Sequence, residues 1–185
     1  MLFRTIYISV GSNLGERETL LKEGIAHLEK ELVELKAIKS ITESPIYETQ
    51  AWGMPEGTPA FLNLVVAIET DVTLENLLPL LLEVESACGR ERNLTKYEAD
   101  HSDSYANRTL DMDILLDGEV LLKTNHLIVP HPKLTQRRFV LQPLADLDSK
   151  IIIPGENCTV EEALKACPIK PEVLLKLKEW GHMLT

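Results

Sequence analysis

Two aspartates separated by a single residue, in the run Arg108-Thr-Leu-Asp111-Met-Asp113, are the sharpest chemical feature of this 185-residue chain. On a strand, positions two apart point to one face with Cα atoms about 7 Å apart, so both carboxylates project together beside Arg108. Like charges on one sheet face repel, and aspartate is depleted in strands. A hard divalent cation removes that conflict. Magnesium takes oxygen ligands and favours one or two carboxylates completed by substrate phosphates. The same tripeptide also fits a solvated acidic strand face.

Fixed cations are dense around this run for an acidic chain: Arg90 and Arg92 in GRER, Arg108, and Arg137-Arg138 after His131. Arginine suits phosphate because its planar fork donates two parallel hydrogen bonds and stays charged. Taken singly, each also reads as an ordinary surface arginine. His131, between Pro130 and Pro132, either donates to a phosphate oxygen or caps a loop. Phe61 and Asn63 share a strand face. A ring beside an amide suits a flat, polar-edged heterocycle, with Phe139 as a candidate opposite wall. Packing of Phe61 under a helix is the competing account. GSNLGER at 11–17 lacks the lysine and hydroxyl of a GxxxxGK[ST] phosphate loop, and its structural reading is that Gly11 ends a strand while Ser12 or Asn13 caps the next helix.

These groups need elements to hold them. Ile6, Ile8 and Val10 alternate with Tyr7 and Ser9, predicting a strand that ends at Gly11. Leu20, Leu21, Ile25 and Leu28 then recur at helical spacing over about 16–32. The β-rich stretch AIKSITESPIYE carries Pro45, so it is an edge strand or one interrupted by a bulge. FLNLVVAIET alternates cleanly, with Leu62, Leu64, Val66 and Ile68 on one face and Phe61, Asn63 and Val65 on the other. A helix over about 73–88 follows, Thr73 capping it and Pro79 bending it. Residues 93–104 are polar, aperiodic and expected to form a mobile loop. DMDILLDG predicts a strand, with Asp117-Gly118 turning it into a hairpin toward EVLL. Thr159 and Glu162 form a capping box for a short helix ending near Pro168, and PEVLLKLKEW reads as a further helix with Pro171 in its first turn. Successive strands without intervening helices favour an antiparallel or mixed α+β sheet over a doubly wound parallel one.

The length fits one domain over 1–185, and 44% apolar residues suffice for a core. A net charge of -10 argues against a nucleic-acid-binding surface, which needs a local excess of Lys and Arg. The N-terminal residues lack the pattern of a secretory signal, and no run approaches membrane-spanning length. Cys88, Cys158 and Cys167 are odd in number and show no CxxC spacing, as expected of reduced thiols in a cytoplasmic protein.

Taken in order, GSNLGER, SPIYET with Trp52-Gly53, FLN, Glu85 with GRER, NRTLDMDILL and VPHPKLTQRRFVLQPL resemble the 6-hydroxymethyl-7,8-dihydropterin pyrophosphokinases over about Ile6 to Leu144. The resemblance implies a ferredoxin-like α/β/α sandwich with a largely antiparallel sheet. It also implies transfer of the terminal two phosphates of ATP to the pterin hydroxymethyl oxygen in folate biosynthesis, leaving AMP. By match of motif, Asp111 and Asp113 would hold a pair of magnesium ions, and Arg92 and Arg108 would act in catalysis. Phe61 and Phe139 would sandwich the reduced pterin, Asn63 would bond its edge, and Thr49 to Trp52 would give backbone contacts. Glu85, Arg92, Arg108, His131 and Arg137 would contact ATP, with Ile114 near the adenine. The chain departs from the pattern in a longer segment between Arg92 and Tyr105, in Tyr105 and Ser104 where Trp and Arg are common, and in His126 where some relatives carry arginine. The expectation is a cytoplasmic monomer or weak homo-oligomer with no nucleic-acid or membrane partner. A ferredoxin-like module that senses a nucleotide without turning it over is the alternative from another class. An ordinary γ-phosphate kinase, which would yield ADP, is a third.

Overall fold

Apolar side chains at every second position make the long strands, and a computed structural model describes them within residues 2–51, 54–90, 107–168 and 175–178. Strand β1 (Arg4–Ser12) leads into helix α1 (Arg17–Glu34), which buries Leu21, Gly24, Ile25, Leu28 and Leu32 at helical spacing. β2 (Ile38–Glu43) and β3 (Ile46–Thr49) are one extended stretch broken at Ser44-Pro45, and both pair with β4 (Phe61–Thr70). Proline has no N–H to give to the ladder, so the break falls there. Helix α2 (Leu74–Ala87) keeps Pro79 inside it, and β5 (Asp111–Asp117) follows.

The main sheet runs β10-β3-β4-β1-β5, with β2 also on β4 and every pairing antiparallel; β10 is Leu175–Lys178. The β-α-β-β-α-β succession, with the first strand between the third and the last, is the ferredoxin-like arrangement within an α+β fold. One core lies between the sheet and α1 with α2, and joins Ile6, Ile8, Val10, Leu64 and Met112 to the helix leucines. Gly24 lets α1 approach the chain entering β5: a β-carbon there would stand 2.5 Å from Leu110 Cδ2. The other core lies on the opposite face. Val65, Leu115 and Leu116 meet α3 (Arg138–Asp148) and α4 (Val160–Ala166) through Val140, Leu141, Leu144, Val160 and Ala163.

Three local expectations change. The strand ending at Asp117 turns, but its hairpin partner is not the following EVLL segment: β6 (Leu122–Lys123) pairs with β7 (Ile128–Val129), while β5 pairs with β1. Within PEVLLKLKEW, residues 175–178 form β10 rather than helix, because Leu-Lys-Leu-Lys also has a period of two and β3 offers an open edge for it to join. Neither Ser12 nor Asn13 caps α1, whose N-cap is Glu16 and lacks a side-chain cap bond. The capping box of Thr159 and Glu162 is present at α4, preceded by the small pair β8 (Ile152–Ile153) and β9 (Cys158–Thr159). Segment 93–104 lies outside the described residues. No helix among the described residues is long and apolar enough to cross a membrane.

Candidate active site

Sheet register decides which residues meet. Gly11 pairs with Asn63 on one side and Asp111 on the other, and Ser9 likewise stands between Val65 and Asp113. Thr49 pairs with Phe61. Period two therefore puts Thr49, Phe61, Asn63, Ser9, Gly11, Asp111 and Asp113 on the face that meets α3, at one end of it. With adjacent strands about 4.8 Å apart, Asn63 and Asp111 lie roughly 10 Å from each other across Gly11. Glycine is required at that crossing: a β-carbon on Gly11 would come within 2.9 Å of the Asn63 amide oxygen and 3.8 Å of Phe61 Cδ1.

These side chains line a cleft together with Gln50, Met54, Arg108, Arg137 and Phe139. At one side, Asn63 is nearly buried and its Nδ2 donates to Thr49 Oγ1 at 2.8 Å, which leaves its amide oxygen beside Gly11. Phe139 comes from the first turn of α3, and the Arg137 guanidinium lies 5.8 Å from its ring centroid, within cation–π range.

The other side is charged. Arg108 Nη1 donates to Asp111 Oδ2 and Arg90 Nη1 to Asp111 Oδ1, each at 2.6 Å. Burial alone would raise the Asp111 carboxyl, but the two guanidinium groups more than offset it and hold it below the ordinary carboxylate range. Arg108 pays the same desolvation, yet the neighbouring carboxylates keep it charged more firmly than in water. Asp113 has the reverse balance. Burial and the Asp111 charge push its carboxyl up to about 6, against Arg137 at 3.6 Å.

His131 is held by its own backbone N–H, which donates to Leu115 O at 2.9 Å. Its Nδ1 accepts from Lys133 N–H at 3.0 Å, and burial, helped by Arg137, pushes its value down to about 4. A backbone N–H only donates, so the neutral ring carries its proton on Nε2, 4.0 Å from Asp113 Oδ2, and Arg137 Nη1 at 3.4 Å from that nitrogen is a contact rather than a hydrogen bond.

The structure brings Thr49, Phe61, Asn63, Arg108, Asp111, Asp113, Arg137 and Phe139 to one cleft, with His131 beside Asp113. Trp52 and Arg92 lie outside the described residues. Glu85 and Ile114 are buried and are not among the side chains lining the cleft: Ile114 packs into the core under α1 and α2, and Glu85 accepts from Met112 N–H and pairs with Arg90, both at 2.6 Å. Arg90 of GRER pairs with Asp111. Sequence reasoning grouped Arg90 with the cations without giving it a role. It also missed Ser9 and Gly11 as lining residues, although alternation along the first strand carries that signal. Helix α3, which delivers Phe139, went unrecognised because Pro143 interrupts its apolar pattern.

Two carboxylates on one face, one of them held ionised, are a donor set that suits a hard cation sharing phosphate oxygens with a substrate. Beside an aromatic slot with an amide at its edge, that set suits a flat, polar-edged ligand placed against a polyphosphate.

Residues 7–149 match the family model described as 7,8-dihydro-6-hydroxymethylpterin-pyrophosphokinase. The chain is 38% identical over 146 residues to the 2-amino-4-hydroxy-6-hydroxymethyldihydropteridine pyrophosphokinase of Bacillus subtilis, covering 78% of each chain. It is 34% identical over 169 residues to the protein of the same name from Pseudomonas aeruginosa, covering 91% of this chain and 95% of that one. Among solved structures, HPPK-DHPS in complex with substrates superimposes with a TM-score of 0.61 at 15% identity, and a Plasmodium falciparum HPPK-DHPS triple mutant with 0.64 at 14%. Each covers 89% of this chain, but the chain spans only 43% of those longer proteins, so they speak to the fold alone.

Proposed function

The chain belongs to the 7,8-dihydro-6-hydroxymethylpterin-pyrophosphokinase family, and from that premise we propose how its own residues perform the reaction. It is an ATP-dependent transferase that moves a pyrophosphoryl group from ATP to hydroxymethyldihydropterin in folate synthesis. Atom balance fixes the course. The pterin hydroxymethyl oxygen bonds to the β-phosphorus, the bond from that phosphorus to the α–β bridging oxygen breaks, the hydroxyl proton passes to solvent, and AMP leaves.

Phe61 and Phe139 hold the pterin ring between them, while Asn63 and the backbone around Thr49 and Trp52 read its polar edge. Arg90, Arg92, Arg108, Arg137 and His131 take the phosphates, the histidine as a neutral Nε2–H donor. Glu85 acts through Arg90 on Asp111. Asp111 and Asp113 would hold magnesium, and the cation would supply charge neutralisation along the polyphosphate. Phosphoryl-type transfer asks for in-line placement and neutralised charge more than covalent chemistry, and these residues supply both. The single observation that carries the reading is the shared cleft, where only the small residues Ser9 and Gly11 of β1 stand between the Phe61 and Asn63 strand and the carboxylate pair.

The same reading takes the whole chain as one domain working in the cytoplasm as a monomer or weak homo-oligomer, with ATP and pterin as its ligands. The three free thiols support a reducing compartment. Incubation with ATP, magnesium and the reduced hydroxymethylpterin tests it: AMP and the pterin diphosphate should form together in equal amounts. Pterin-dependent ADP instead would contradict the proposed bond cleavage, and unchanged turnover after replacement of either aspartate by asparagine would remove the metal-binding assignment.

A further inference from the structure

The GSN run at the end of β1 is the one motif that substrate contacts leave unexplained. Asn13 is 2% exposed, and both ends of its side-chain amide are engaged. Its Oδ1 accepts from Arg108 N–H at 2.7 Å, and its own backbone N–H donates to Arg108 O at 3.1 Å. Its Nδ2 donates to Asn107 Oδ1 at 2.8 Å and to Pro59 O at 3.4 Å. A backbone N–H only donates, so the amide orientation is settled: oxygen toward Arg108, nitrogen toward Asn107 and Pro59.

Three segments meet at this amide. They are the end of β1, the chain two residues before Phe61, and the chain three residues before Asp111. Arg108 leaves a backbone gripped on both its N–H and its C=O, and its guanidinium ends on Asp111 at 2.6 Å. A buried amide satisfied at both ends is rigid, because any rotation strands a polar group away from water.

We infer that Asn13 is a positioning residue for the transfer: by clamping the Arg108 backbone it aims that guanidinium at Asp111 and the phosphates, and through Pro59 it ties that half of the site to the pterin half. The inference rests on the role proposed above for Arg108. Asn13 works through Arg108 and touches no reacting atom itself.

A double-mutant cycle tests it, with steady-state rates and melting temperatures for Asn13→Ala, Arg108→Ala and the pair. Asn13→Ala should lower kcat by about 10- to 100-fold at saturating substrates, as expected for a small misplacement of a charged group, with the KM for pterin changed less than about threefold. Asn13→Asp keeps an acceptor for Arg108 N–H and should recover most of the rate. In the double variant the loss should match that of Arg108→Ala alone within about twofold. Multiplying losses, or an Asn13→Ala protein that melts earlier but keeps its kcat per folded molecule, would overturn the inference while leaving Arg108 in its role. Arg108→Ala at the wild-type rate would overturn both. Should Asn13→Ala not fold, Asn13→Ser, too short to reach the Arg108 N–H, takes its place in the same cycle.

Discussion

Gly11 and Asn63 face each other across β1 and β4 so closely that a β-carbon on Gly11 would stand 2.9 Å from the Asn63 amide oxygen. That amide has little room to yield, since its nitrogen is bonded to Thr49. Gly11→Ala can relieve that contact only by breaking the bond to Thr49, which should turn the amide away from the pterin edge. The expected result is pterin binding weakened about tenfold, or ~1.4 kcal/mol, with ATP binding retained. Isothermal titration with each ligand separates the two effects, and equal losses for both would count against the assignment of Asn63.

Asp111 and Asp113 should be far more sensitive than their neighbours. Replacing either by asparagine keeps the shape but removes a negative ligand, and Asp111→Asn also leaves Arg90 and Arg108 facing a neutral group. Turnover should fall by about 100-fold or more in each case, the scale expected for loss of preorganised charge at a transfer site. A chelator should abolish the wild-type reaction and added magnesium restore it, followed by AMP formation.

Asp113 sets a dependence on pH that is opposite to the usual carboxylate. Its folded value is raised to about 6, so without a cation the folded state holds a proton between about pH 4 and 6 that the unfolded chain has lost. Stability should consequently fall as pH rises through 6. In chelator, thermal melts at pH 5 and pH 7.5 should show the wild type losing stability relative to Asp113→Asn, and magnesium with a non-hydrolysable ATP analogue should reduce the difference. Parallel melting curves for the two proteins would contradict the raised value.

Glu85 offers a choice between direct contact with ATP and structural support. It is 1% exposed and holds both Met112 N–H and Arg90. Glu85→Ala leaves the Met112 N–H without its acceptor and Arg90 with Asp111 as its remaining carboxylate, and removing one member of a buried pair costs about 3 kcal/mol. The melting temperature should drop by roughly 6–12 °C for a chain of this size. A stable variant with only a raised KM for ATP would favour the direct contact instead.

The sequence carried the site more clearly than the chain's periphery. The alternation in FLNLVVAIET and DMDILLD put Phe61, Asn63, Asp111 and Asp113 on common faces, because period two is a property of the strand itself. Which strands are neighbours is a matter of pairing, so the meeting of Asn63, Gly11 and Asp111 in one row could not be read from any single segment. The C-terminal Leu-Lys-Leu-Lys fits both helix and strand over four residues, and the open edge of β3 decided it. Asn13 illustrates a different limit. Its type suits a helix cap, and only the return of the chain at Arg108 shows that its amide is used elsewhere.

The larger apolar core and the cleft lie on opposite faces of the sheet. A strand residue that points toward α1 and α2 answers to folding, whereas its immediate neighbours at this end of the sheet answer to ligands. Directed evolution for altered pterin analogues can thus work on the cleft face while leaving the core under α1 and α2 untouched, and inhibitor design meets a floor that is flat at Gly11 because no side chain rises from it.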